Sequence, residues 1–146
     1  MDQIQMLKRM YLFKDADPKD LEGLNALVER KVYVAGQLIY HEGDVADALF
    51  IIETGSVDLL PKGKAAPFGT VASGQGFGEL SFFDKSTRPA GASSREQTHL
   101  LRIPYEKLSK LLDERPGFAL VVYRSASAFF AKHIRGMAAG LTKRYF

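Results

Sequence analysis

The chain has 146 residues, of which 46% are hydrophobic and 25% charged, and its formal net charge is +3. This length fits one globular domain over residues 1–146, since domains usually comprise roughly 100–150 residues. The absence of cysteine excludes disulfides, thiolate metal sites and cysteine nucleophiles, and it fits a reducing compartment, so we expect a cytoplasmic location. No uncharged apolar run reaches the roughly 18 residues that a membrane span needs, which predicts a soluble protein.

Two predicted helices open the chain, over about residues 3–30. Apolar residues recur at helical spacing from Ile4 to Leu12, and again after Asp17. Asp17 is suited to cap the second helix. Pro18 fits the first position of that helix, because proline lacks the N–H that the first turn leaves unpaired.

Short β-rich runs follow from Val32 onward, and they predict a small sandwich or barrel over about residues 31–103. Gly55 in ETGS is expected to adopt a positive φ in a tight hairpin, because glycine does so without steric cost. Two further strands are expected at Ala90–Ser93 and His99–Ile103. The other runs read VYV, LIY, ALFII, VDLL and FGTV, and the segments between them include HEGD, ETGS and PKGKAAP.

Helices return over about residues 104–140. The first starts near Pro104 and stops before Pro116, because proline is not tolerated in a helix interior. The second runs from Gly117 to about Gly140 and is apolar on more than one side. We therefore expect part of it to pack on the sheets and part on a second copy of the chain or another partner.

The stretch FGELSFFDKSTRPAGASS, residues 77–94, carries the chemistry that the sequence suggests. Alternating glycines lead up to Glu79, which lets the backbone approach a ligand closely. The LSFF run that follows can form about one helical turn, whose free N–H groups suit a phosphate. Arg88 can hold a phosphate through two hydrogen bonds, and the Glu79 carboxylate can accept one from a hydroxyl. Together these features indicate a sugar phosphate, while a structural ion pair between Glu79 and Arg88 is the competing interpretation.

At these residues the sequence resembles the cyclic-nucleotide-binding domains of catabolite-activator-type regulators, protein kinase A regulatory subunits and cyclic-nucleotide-gated channels. The resemblance extends from about Leu7 to Arg135, through LFKDADPKDLEGL, VAGQLIYHEGDVADALFIIETGSVDLL and GQGFGELSFF. It implies a mainly β fold with flanking helices, namely an eight-stranded double-sheet jelly-roll barrel with N-terminal helices and a long C-terminal helix. It also implies a regulatory domain that binds cAMP or cGMP as a ligand, without a cofactor and without enzymatic activity.

The segment GFGELSFFDKSTRPA resembles the family's phosphate-binding cassette. By this resemblance Glu79 accepts the ribose 2′-hydroxyl and Arg88 binds the cyclic phosphate. N–H groups near Gly78, Leu80 and Ser81 complete the cradle. The Ser or Thr hydroxyl that the family associates with guanine preference is missing, which favours cAMP over cGMP.

Pro89 departs from the family pattern, in which a small residue follows the arginine and its N–H helps to hold the phosphate. Because proline has no N–H, we expect binding weaker by about one to two decades, the equivalent of one charged hydrogen bond of roughly 1.5–3 kcal/mol. Ala90 is the last residue of the predicted binding segment. Pro89 also supports an alternative, to which Gly91 and Ala92, in place of the usual Thr and Val, add weaker support. In this alternative the domain is degenerate and acts as a protein-protein interaction module without nucleotide binding.

The resemblance assigns closure over the base, and often dimer contacts, to the long C-terminal helix. Tyr123, Arg124 and Ser127 are its polar candidates for contact with adenine. We expect this helix to pass ligand occupancy to a second copy or a partner. His41 in HEGD lies far along the chain from the cassette and is expected to be structural, and Gly43 is expected in a tight turn.

Two other classes of protein fit the sequence less well. A metal-dependent cupin needs clustered histidine and carboxylate ligands, whereas His41, His99 and His133 are isolated from one another in the sequence. A DNA-binding regulator needs a helix-turn-helix domain, and the residues LTKRYF after the long helix are too few to form one. For a chain that ends here we therefore expect no direct DNA binding, whereas in a longer protein the nature of the output domain stays open.

Overall fold

The computed structural model describes residues 1–61, 67 and 69–145 of the chain, with side chains up to residue 139. Within this part, two antiparallel sheets of four strands have the orders β1-β8-β3-β6 and β2-β7-β4-β5. The strands are β1 (Glu29–Tyr33), β2 (Leu38–Tyr40), β3 (Ala48–Thr54), β4 (Ser56–Leu60), β5 (Gly69–Ala72), β6 (Gly76–Phe77), β7 (Gly91–Ser94) and β8 (Thr98–Pro104). Phe68 of the run FGTV and most of PKGKAAP lie outside the described residues.

Helices flank the sheets at both ends of the chain, and one short helix lies between β6 and β7. They are α1 (Gln3–Arg9), α2 (Pro18–Asn25), α3 (Leu80–Asp84), α4 (Tyr105–Glu114) and α5 (Pro116–Tyr145). The predicted fold class is thereby confirmed: the chain is mainly β, with a double-sheet architecture, N-terminal helices and a long C-terminal helix. The two-residue strand β6 has no counterpart in the prediction, because two residues are too few to show a period.

The central strand β3 explains how the two sheets and the helices share a core. Successive strand side chains point to opposite faces of a sheet. Leu49 and Ile51 therefore pack among the helices, whereas Phe50 and Ile52 face the second sheet. Residues 48–52 are all buried, which accounts for the unbroken apolar run ALFII.

The ETGS segment is not the predicted hairpin. The strands on its two sides, β3 and β4, belong to different sheets, so the segment is a corner where the chain passes from one sheet to the other. The positive φ predicted for Gly55 is confirmed at 98°. A Cβ atom on Gly55 would lie 2.5 Å from the Thr98 hydroxyl oxygen, so the corner has no room for a side chain.

The helix boundaries agree with the sequence signals in α2 and differ from them in α5. The Asp17 carboxylate accepts a hydrogen bond of 2.9 Å from the Asp20 N–H, and Pro18 is the first residue of α2, as predicted. The predicted end of the long helix at Gly140 is wrong, because α5 continues to Tyr145. A glycine within a helix costs only about 1 kcal/mol relative to alanine, so it does not by itself end one.

The first half of α5 packs with α1, α2 and α4 against the outer face of the β1-β8-β3-β6 sheet. Residues 131–139 of α5 are exposed, and Ile134 and Met137 among them are 64% and 66% exposed. Within the described residues, no helix has both the length and the apolarity that a membrane crossing requires.

Candidate functional site

All seven residues of the predicted binding segment line one cavity of about 210 Å³. Its lining includes Gly78, Glu79, the start of α3 and the buried Arg88. Tyr40, Leu59 and Val71 also line it. The seven residues are Gly78, Glu79, Leu80, Ser81, Arg88, Pro89 and Ala90.

Arg88 is buried, with 3% of its surface exposed, although it is charged. Its Nη1 atom donates to the Gly78 carbonyl at 2.8 Å and to the Tyr105 hydroxyl at 3.2 Å, and its Nη2 atom donates to the Ala48 carbonyl. The guanidinium carbon lies 4.1 Å from the centre of the Tyr40 ring. These contacts fix the guanidinium in place, since each hydrogen bond and the cation–π contact favours one orientation.

None of these contacts neutralises the charge of Arg88. Among the described residues no ion pair includes Arg88, so the competing interpretation, a structural ion pair with Glu79, does not hold. Burial raises the pKa values of Tyr40 and Tyr105 to about 12, so both phenols are neutral at physiological pH. Burying an unpaired charge is costly, and an anionic ligand in the cavity would offset that cost.

The HEGD turn holds the backbone of Arg88. The Gly43 N–H donates to the Arg88 carbonyl at 2.8 Å, and the Arg88 N–H donates to the Asp44 carbonyl at 2.9 Å. Gly43 has a φ of 86°, which confirms the predicted tight turn. His41 is exposed at the start of this turn and is absent from the cavity wall, consistent with a structural role.

Glycine is required at two positions beside the cavity. Gly78 has a φ of 78°, and a Cβ atom there would lie 2.9 Å from Nη1 of Arg88. A Cβ atom on Gly76 would lie 2.9 Å from the Cε atom of Met10. The alternating glycines of the sequence thus allow Arg88 and Met10 to approach the backbone closely.

The start of α3 and Pro89 also line the cavity. Within the described part of the chain, the N–H groups of Leu80 and Ser81 donate no hydrogen bond, which leaves them free for a ligand. The Ser81 hydroxyl donates to the Thr87 carbonyl at 3.2 Å. Pro89 lines the cavity without an N–H, as the sequence predicts.

Glu79 is held from outside the Arg88 cavity by a residue that the sequence analysis did not identify. The Tyr11 hydroxyl donates to Oε2 of Glu79 at 2.7 Å. The Tyr11 ring is stacked on Phe129 of α5, with ring centres 3.7 Å apart and planes within 12° of parallel. Burial and the neighbouring Glu79 carboxylate both raise the pKa of Tyr11, so the phenol stays protonated and donates.

The three residues proposed to contact adenine do not line the Arg88 cavity. Tyr123 packs edge-on against Phe83, with ring centres 5.9 Å apart. The Ser127 hydroxyl donates to the Tyr123 carbonyl within α5 at 2.8 Å. Arg124 lines a separate groove of about 430 Å³ that also includes Lys132. The separation follows from the placement of α5, which contacts α3 and Tyr11 and contributes none of its described residues to the lining of the cavity.

Metal ligands do not gather anywhere in the described residues. No three His, Asp or Glu side chains there lie close enough together to hold a metal ion. Arg88, Glu79 and the free N–H groups are among the polar groups that line this cavity.

Comparison with known proteins identifies a family. The sequence model described as "Cyclic nucleotide-binding domain" matches residues 30–115. A lysophospholipase nte1 of Neosartorya fischeri is 37% identical over 91 residues, which cover 60% of this chain and only 6% of that protein. This chain therefore corresponds to a small part of such a relative.

Solved structures show the same fold. Catabolite activator protein of Thermus thermophilus has a TM-score of 0.76 and 26% identity, covering 90% of this chain and 62% of that one. The regulatory domain of Toxoplasma gondii PKA, solved with cAMP, has a TM-score of 0.70 and 24% identity, covering 76% of this chain and 46% of that one.

Proposed function

The chain belongs to the cyclic nucleotide-binding domain family, and we propose that it binds a cyclic nucleotide in the Arg88 cavity, cAMP in preference to cGMP, and acts as a regulatory sensor. The observation that carries this proposal is the buried guanidinium of Arg88, which no carboxylate among the described residues pairs. A cyclic phosphate supplies the missing charge. The role is binding and regulation, with no catalytic step assigned to these residues.

Each part of the nucleotide is matched by chemically complementary groups in the cavity. The cyclic phosphate accepts hydrogen bonds from Arg88 and from the free N–H groups of Leu80 and Ser81. The ribose 2′-hydroxyl donates to Glu79. The base packs on the apolar side chains of Leu59 and Val71, which line the same cavity. The preference for cAMP rests on the family resemblance, by which the Ser or Thr hydroxyl associated with guanine preference is missing.

Ligand occupancy has a structural route to the C-terminal helices. Arg88 contacts the hydroxyl of Tyr105, the first residue of α4, and α4 shares a core with the first half of α5. A phosphate that binds Arg88 changes the contact between Arg88 and Tyr105. This change shifts an equilibrium between two arrangements of the helices. We propose that α5 passes the shift to a second copy of the chain or another partner through Ile134 and Met137, which are exposed.

The second candidate is an interaction module with this fold that binds no nucleotide. Two observations favour it: Pro89 lacks an N–H, and Arg88 already donates to Gly78, Ala48 and Tyr105. A guanidinium has five N–H donors, so these bonds leave only part of it for a ligand.

Calorimetric titration of nucleotide-stripped protein with cAMP and with cGMP separates the two candidates. We expect cAMP to bind the wild type and Arg88→Lys to bind far more weakly, since lysine cannot form the bidentate contact. Arg30→Lys is the matched control, because Arg30 is exposed and pairs with Glu53 away from the cavity. If folded protein gives no heat of binding with either nucleotide, the proposal is overturned and the interaction module is favoured.

A further inference from the structure

Tyr11 joins the candidate ligand site to the C-terminal helix. Its hydroxyl donates to Oε2 of Glu79 at 2.7 Å, and its ring stacks on Phe129 of α5 at 3.7 Å. Tyr11 lies after α1, 68 residues from Glu79 in sequence. No sequence motif links these residues, so only the fold brings them together.

Glu79 separates two neighbouring cavities. One is the cavity of about 210 Å³ that contains Arg88, and the other, of about 330 Å³, is lined by Tyr11 and Phe129. Glu79 lines both of them. The Tyr11 hydroxyl reaches Glu79 from the second cavity and hydrogen-bonds to one carboxylate oxygen, Oε2. The lone pairs of the other oxygen, Oε1, therefore remain for a donor in the first cavity.

We propose that Tyr11 is a positioning residue that holds the Glu79 carboxylate in the orientation that accepts a ribose hydroxyl of the nucleotide. This inference rests on the proposed function and goes beyond it, because it makes ribose recognition by Glu79 depend on a residue outside the cassette. A carboxylate on a flexible side chain loses rotamer freedom when it binds. The hydrogen bond from the fixed Tyr11 phenol removes that freedom before the ligand arrives. Binding is then stronger, because less conformational entropy is lost when the ligand binds.

The packing around Tyr11 supports this role. Phe129 stacks on one face of its ring, so the phenol cannot swing away from Glu79 without breaking the aromatic contact. The raised pKa of Tyr11, caused mainly by burial, keeps its proton on the phenol at physiological pH. Tyr11 therefore donates constantly, and Glu79 remains the acceptor.

The test compares two ligands that differ by one hydroxyl, cAMP and 2′-deoxy-cAMP, on the intact chain by calorimetry. We expect Tyr11→Phe to weaken cAMP binding about tenfold and to leave 2′-deoxy-cAMP binding within about twofold, because only cAMP uses the Glu79 carboxylate. Tyr33→Phe is the matched control, since among the described residues the Tyr33 hydroxyl makes no hydrogen bond.

Each other outcome overturns the inference in a distinguishable way. Equal weakening of both ligands means that Tyr11 supports the fold and has no specific effect on ribose recognition. Unchanged or tighter cAMP binding means that the Tyr11 bond does not position Glu79 or competes with the ligand. If wild type binds neither ligand, the proposed function fails together with this inference. If wild type binds cAMP and Tyr11→Phe weakens cAMP and 2′-deoxy-cAMP by the same factor, only the role of Tyr11 fails.

Discussion

The guanidinium of Arg88 lies 4.1 Å from the centre of the Tyr40 ring, so the buried cation faces a neutral aromatic surface. A carboxylate in that position would neutralise Arg88 permanently and compete with any anionic ligand. The aromatic ring stabilises the cation and leaves its charge available. If the proposed function is correct, this charge is available to the cyclic phosphate.

Replacing the Tyr40 ring tests this contact in the absence of ligand. We expect Tyr40→Leu to lower the free energy of unfolding by about 2 kcal/mol, through loss of a desolvated cation–π contact and of packing with Phe50 and Phe77. Tyr40→Phe retains the ring and is the control, with an expected change below about 1 kcal/mol. Urea denaturation measures both. An equal loss of unfolding free energy in the two variants would show that the Tyr40 hydroxyl, and not its ring, stabilises the protein.

Gly78 offers a test of backbone geometry beside Arg88. We expect Gly78→Ala to destabilise the protein by about 1–3 kcal/mol, because its φ is 78° and its new Cβ would lie 2.9 Å from Nη1 of Arg88. Gly136→Ala is the matched control of opposite sign. Gly136 lies inside α5 with open space around it, so alanine there should stabilise by about 0.5–1 kcal/mol. Thermal unfolding of the two variants gives the comparison, and similar shifts in both would contradict the geometric argument.

Pro89 can be tested by gain of function. Pro89→Ala restores a backbone N–H beside Arg88, at the cavity wall. If the proposed function is correct, cAMP affinity should rise by about one to two decades, the equivalent of one hydrogen bond to a charged group. Calorimetric titration measures the change. Affinity equal to or below that of wild type would show that an N–H at position 89 does not reach the phosphate.

The buried phenols predict how stability depends on alkaline pH. Burial raises the pKa values of Tyr40 and Tyr105 to about 12, against about 10 in the unfolded chain. The unfolded state then loses these protons first, so the free energy of unfolding is unaffected below about pH 10 and falls as the pH rises to about 12. Urea denaturation from pH 8 to 12 should show a smaller fall in Tyr40→Phe than in wild type. An identical fall would exclude a contribution from Tyr40.

The exposed part of α5 predicts self-association. Ile134 and Met137 lie three residues apart on one helix face and are mostly exposed. If this face joins two copies of the chain, Ile134→Glu should shift the protein to monomer in analytical ultracentrifugation. Arg135→Glu, on a neighbouring face, should leave the distribution unchanged. A wild type that is monomeric at high concentration would contradict self-association through this face and would favour another partner.

The sequence by itself determined the features that depend on neighbouring residues. The Asp17 cap, the positive φ of Gly55 and the order of helices and strands follow from local steric and hydrogen-bonding rules, whereas the tight turn at Gly43 is implied by the resemblance to a known family. The resemblance to a known family placed Glu79 and Arg88 in one segment, and the structure shows that this segment lines one cavity. That these residues bind a nucleotide stays a prediction.

The tertiary structure decided which distant residues complete the site. Tyr40 lies 48 positions before Arg88, Tyr105 lies 17 after it, and Tyr11 lies 68 before Glu79. No local pattern reports such contacts, because they arise where separate strands and helices pack together. The same reason explains the wrong hairpin prediction, because whether ETGS forms a hairpin depends on which sheet receives the next strand. The Arg88 cavity likewise lacks Tyr123 because the packing of α5 places that residue against Phe83, and its contact with adenine stays a prediction.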